Sequence, residues 1–162
     1  MGWVTLSLRK QTLRAEINAS QMQSLQLSRE KRQLQRHLSY EKSIFDHQKQ
    51  DKLNAAKAQY KIDDLRKERS DFNPKDEGYS TEYADWQSRY SIAQDAYGAQ
   101  KQQIEDYYDD IAQELEEEAN EREQRIQEQL DELEVQRQDM QAEFDAIKDQ
   151  IKTEIQNSAI SF

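Results

Sequence analysis

The chain has 162 residues, 35% of them charged and only 35% hydrophobic with tyrosine counted, and its formal net charge at pH 7 is −10. No apolar run exceeds two residues, which excludes a multilayer globular core, a signal-peptide h-region and an apolar span of the ~20 residues a membrane helix needs; the expectation is a soluble protein with no membrane insertion. The chain has no cysteine, so disulfides and thiolate metal sites are excluded, while virion and cytoplasm both stay open as locations.

Residues 1–6 form an apolar end segment that can be read two ways. Val4, Leu6 and Leu8 alternate as a strand would, whereas Leu6, Leu13 and Ile17 already keep helical spacing. We favour helix from about Ser7.

Residues 7–70 predict a basic helix. Its stripe runs through Leu6, Leu13, Ile17, Leu27, Leu34, Leu38, Phe45, Leu53, Ala56 and Tyr60, most of them separated by helical steps of three, four or seven. Leu25, Ile44, Ile62 and Leu65 widen or shift it, and this predicts a second apolar face that a neighbouring subunit could cover.

Residues 71–81 form the only loop-like stretch. Pro74 disfavours helix at Asn73, Gly78 permits a left-handed turn, and Ser80 or Thr81 is placed to cap the next helix. The chain should reverse here.

Residues 82–156 predict an acidic helix with a long heptad seam. Trp86, Tyr90, Ala93, Tyr97, Ile104, Tyr108, Ile111, Leu115, Ala119, Ile126, Leu130, Leu133, Met140, Phe144, Ile147, Ile151 and Ile155 mark a and d positions over about ten heptads, with Gln100, Arg122 and Arg137 as polar interruptions. Gly98 is the one glycine inside either helix and could mark a bend. Residues 157–162 are an apolar tail that ends in Ile160 and Phe162.

Charge divides along the same boundary. Residues 1–70 hold 15 Lys/Arg against 8 Asp/Glu, and residues 71–162 hold 8 against 25. The fold class that follows is all-α: a long antiparallel two-helix coiled-coil hairpin, with oligomerisation open. Helices of roughly 62 and 75 residues would make rods of about 90–110 Å. A mirror about the turn sets Arg29, Lys31, Arg32 and Arg36 beside the acids from Glu116 to Glu123. It sets Lys42 and Lys49 beside Asp110 and Glu105, and Arg9, Lys10 and Arg14 beside Glu143 and Asp139.

No catalytic constellation emerges. His37 and His47 are ten apart and cannot share a helical face at ligating spacing, glycine-rich phosphate loops are absent, and the Ca²⁺-loop pattern is missing. We expect no enzyme activity, no cofactor and no metal site. The 14 Asp/Glu between Glu105 and Glu134 read as a solvated face that neutralises the basic helix. That pairing also argues against a nucleic-acid partner.

Two groups of residues are candidate protein interfaces. Aromatics crowd the turn, where Phe72, Tyr79 and Trp86 either seal the tip or anchor a partner. Trp3, Val4, Leu6 and Leu8 meet Ile155, Ile160 and Phe162 if the hairpin closes, and this apolar end could plug into another subunit. The expected function is a structural coiled-coil subunit that spaces or braces components of a larger assembly, such as a phage virion or a bacterial secretion or surface apparatus. Its partners would be other protein subunits, itself included. The alternative is a soluble helical-hairpin adaptor or export-type chaperone that binds a protein partner.

Overall fold

The computed structural model describes residues 2–160. Three helices follow one another: α1 (Trp3–Gln59), α2 (Ile62–Ser70) and α3 (Tyr79–Ile160), with no strand among the described residues. The long α1 packs against the long α3, so the fold is an all-α helical hairpin. Helix begins at Trp3, ahead of the expected start near Ser7, and residues 3–8 are therefore helix and not strand; the Leu6 amide already donates to the Gly2 carbonyl at 3.2 Å. α3 runs unbroken through Gly98.

The hairpin divides into two compact units, residues 1–36 with 118–162, and residues 37–117. In the first unit the heptad stripe becomes a buried seam. Leu6, Leu13 and Ile17 on α1, and Ala119, Ile126, Leu133 and Ile147 on α3, are at most 9% exposed. Leu6, Leu13 and Ile147 form one buried cluster, with Met140, Phe144 and Ile151 packed against it. Each fully buried Leu or Ile contributes about 1.5–3 kcal/mol, more than the ~0–1 kcal/mol of a surface ion pair. Ser20 is buried at the seam position that follows Ile17, and its hydroxyl has no hydrogen-bond partner among the described residues.

Polar groups beside this seam report its register. Arg9 grips Glu143 with two parallel hydrogen bonds, Nε to Oε1 at 2.9 Å and a terminal nitrogen to Oε2 at 3.1 Å. Lys31 reaches Gln127 at 3.0 Å and Glu123 at 3.5 Å. The fork on Glu143 holds that carboxyl below its ordinary pKa, because a donated hydrogen bond favours the charged form more than slight desolvation opposes it.

In the second unit Lys42 pairs with Glu116 at 2.7 Å and Lys49 with Asp109 at 2.9 Å. The mirror about the turn sets them beside Asp110 and Glu105; Glu105 does act on the Lys49 ammonium, while the carboxylates in hydrogen-bond contact lie one to two turns further along α3. That mirror treats residues as points, whereas a lysine stem reaches along the helix and the chain on the α1 side is interrupted. The interruption falls at Tyr60 and Lys61. Lys61 adopts a left-handed conformation, φ 52 and ψ 39, and its amide donates to the Ala58 carbonyl at 3.1 Å. The break turns Ile62 inward to 1% exposure, and Asp63 and Asp64 then occupy the first turn of α2, where the helix dipole favours anions.

Residues 71–78 make the connection. Asn73 Oδ1 accepts from the Lys75 amide at 3.1 Å, and the Asn73 carbonyl accepts from the Asp76 amide at 3.0 Å. Gly78 takes φ 82, and its carbonyl accepts the Thr81 and Glu82 amides, each at 3.1 Å. The helix therefore starts at Tyr79 on a backbone cap, ahead of the hydroxyl caps expected at Ser80 or Thr81.

Candidate interaction surfaces

The aromatic group at the connection is closed around Phe72. Its ring lies 6.5 Å from Tyr79, 5.9 Å from Tyr83 and 6.1 Å from Trp86, while Tyr79 stacks on Tyr83 at 5.4 Å and Trp86 on Tyr90 at 5.2 Å. Trp86 is only 3% exposed, and its indole Nε1 donates to the Leu65 carbonyl at 2.8 Å. It is a seam residue and not a contact anchor, since helical spacing from Tyr83 and Tyr90 turns it toward α2. Phe72 and Tyr79 are half-buried. Around them Arg89 bridges Glu68 and Asp85, and Arg66 donates to the Tyr90 hydroxyl at 3.3 Å. These partners raise the pKa of both guanidiniums.

The N-terminal group separates differently. Leu6 belongs to the core, whereas Trp3, Val4 and Leu8 are 53%, 55% and 60% exposed. Residues two apart on a helix point to different sides, so the seam takes Leu6 and leaves Val4 and Leu8 facing out. Ile155, which the heptad stripe places in the seam, is exposed instead. Phe162 and the side chain of Ile160 lie outside the described residues.

A third surface emerges from helix phase. The seam of α1 passes through Leu27, Lys31, Leu34 and Leu38, all partly buried. That phase sends Arg29, Arg32 and Arg36 away from the seam. Of the basic cluster only Lys31 reaches an acid of α3; Arg29, Arg32 and Arg36 make no ion pair among the described residues, and Arg32 donates only to the Ser28 carbonyl. The same outer row continues toward the N-terminus through Leu25 and Met22, 55% and 63% exposed. The signal was present in the spacing of three and four that joins Met22, Leu25, Arg29, Arg32 and Arg36, but pairing by charge block alone ignores helix phase.

No group of three or more metal-capable side chains comes together among the described residues, and His37 faces Glu41 at 3.9 Å on its own helix. No described helix is long and apolar enough to cross a membrane. Comparison with known proteins returned no match, whether to a family model, a curated protein or a solved structure.

Proposed function

We propose that the protein is a non-enzymatic structural subunit, a helical hairpin that braces or spaces components of a larger multi-subunit assembly such as a phage virion or a bacterial secretion or surface apparatus. One observation carries the reading: the seam is already filled, yet Trp3, Val4 and Leu8 stand more than half exposed beside it. Large apolar side chains left in water next to a satisfied core favour a partner that covers them. The choice of setting rests on the hairpin fold.

The test is recovery from the producing cells through an affinity tag, followed by sizing and stoichiometry. A structural subunit comes out in a large particle of fixed composition, and Trp3→Ala with Leu8→Ser reduces its incorporation while circular dichroism stays unchanged. Recovery as a small, readily exchanging complex with one partner would instead support the adaptor or chaperone reading. Normal incorporation of the double variant would remove the N-terminal surface from the proposal.

A further inference from the structure

We infer that the outer face of α1 in one molecule docks against the outer face of α3 in a second copy of the chain, through residues 22–36 and 121–138. The inference rests on the assembly reading above and names one of its contacts.

Both faces lie in the unit formed by residues 1–36 and 118–162, and both face away from the seam. On α1, exposed Met22 and Leu25 are followed by the unpaired row Arg29, Arg32 and Arg36. On α3, Val135 is 57% exposed, and Glu128, Asp131 and Glu132 share a shallow surface recess with it. None of these three acids forms an ion pair with α1 among the described residues; Glu128 and Asp131 accept only from Gln124 and Gln127 on their own helix.

The two rows match when run antiparallel. Leu25 falls opposite Val135, Arg29 opposite Asp131 and Arg32 opposite Glu128, because both rows alternate steps of three and four in the same order. That alternation is the periodicity by which helices form a coiled-coil layer, so apolar contact and opposite charge come into register together. A second copy is the occupant that supplies both sequences by construction. Two α1 faces would set arginine against arginine, and two α3 faces acid against acid, so charge selects the heterologous pairing. Each docking leaves one free face of each kind, and the contact therefore propagates into a ring or an open array.

The experiment uses the full-length chain and its light scattering across protein and salt concentration. Arg29→Glu with Arg32→Glu makes one variant, and Glu128→Arg with Asp131→Arg makes a second. Wild type should form species larger than a dimer that dissociate as salt rises. Each reversed variant should need about tenfold more protein to associate, since two exposed attractions become repulsions. Mixing the two variants should restore association, because each then meets its complement; restoration also demonstrates that both are folded. Met22→Gln with Leu25→Gln, at exposed positions, should weaken association without introducing charge.

Association unchanged by reversal, or a mixture that stays dissociated, overturns the inference. So does a chain that stays monomeric while its arginine row retards duplex DNA in a salt-dependent manner. A purified chain that is monomeric at every concentration, yet occurs in a native particle with a different protein, overturns this contact and leaves the assembly reading standing. Absence of both self-association and a native particle overturns both.

Discussion

The indole Nε1 of Trp86 donates a 2.8 Å hydrogen bond to the carbonyl oxygen of Leu65, joining the first turns of α3 to the short α2. The ring itself is stacked on Tyr90 and nearly inaccessible, so one side chain supplies both the apolar contact and the polar tie. The two contributions can be separated. Trp86→Phe keeps a ring and removes the donor, and should lower stability by about 1 kcal/mol. Trp86→Ala removes the ring as well and should cost about 3–5 kcal/mol. Urea denaturation followed by circular dichroism measures both, and equal losses would show that the hydrogen bond alone matters.

The register in the second unit is open to a zero-length crosslinker. A carbodiimide joins an amine to a carboxylate only when they touch, so Lys42–Glu116 and Lys49–Asp109, at 2.7 and 2.9 Å, should be the dominant peptides found by mass spectrometry in the monomeric band. A dominant link from Lys42 to Asp110 would return the register to the mirror arrangement.

Stability should depend on pH through Glu143. Its pKa in the folded state is depressed below 4.5 by the Arg9 fork, so the folded state binds the carboxylate's proton less readily than the unfolded chain does. The contribution is therefore present above the ordinary carboxylate range and is lost as pH falls through the folded value. Wild type should melt above Glu143→Gln at pH 7, with the gap closing on acidification below 4.5. A gap independent of pH would mean that the substituted amide disturbs packing and that the ion pair contributes nothing.

Lys61 and Gly78 make a pair of opposite expectations. Both have positive φ, 52 and 82, and only glycine accepts that region without a Cβ penalty. Gly78→Ala should destabilise by about 1 kcal/mol and Lys61→Gly should be neutral or stabilise by up to about 1 kcal/mol, both read from thermal melts. Loss of stability in Lys61→Gly would show that the lysine stem packs usefully at the break.

Much of this protein is determined by its sequence alone, because heptad spacing is a local property. Leu6, Leu13 and Ile17, with Ile126, Leu133 and Ile147, are buried where the stripe places them, and the glycine and proline of residues 71–78 locate the reversal. Those residues act within a few positions of themselves. Tertiary structure decided what depends on how one helix lies against another. It set the hydrogen-bonded partners of Lys42 and Lys49 further along α3 and tied the seam residue Trp86 to the Leu65 carbonyl. It also decided that Lys31 meets an acid while Arg29, Arg32 and Arg36 do not. Composition counts charges but carries no helix phase, and phase is set by the packing of the seam; the same basic block is neutralised on one side of α1 and left available on the other.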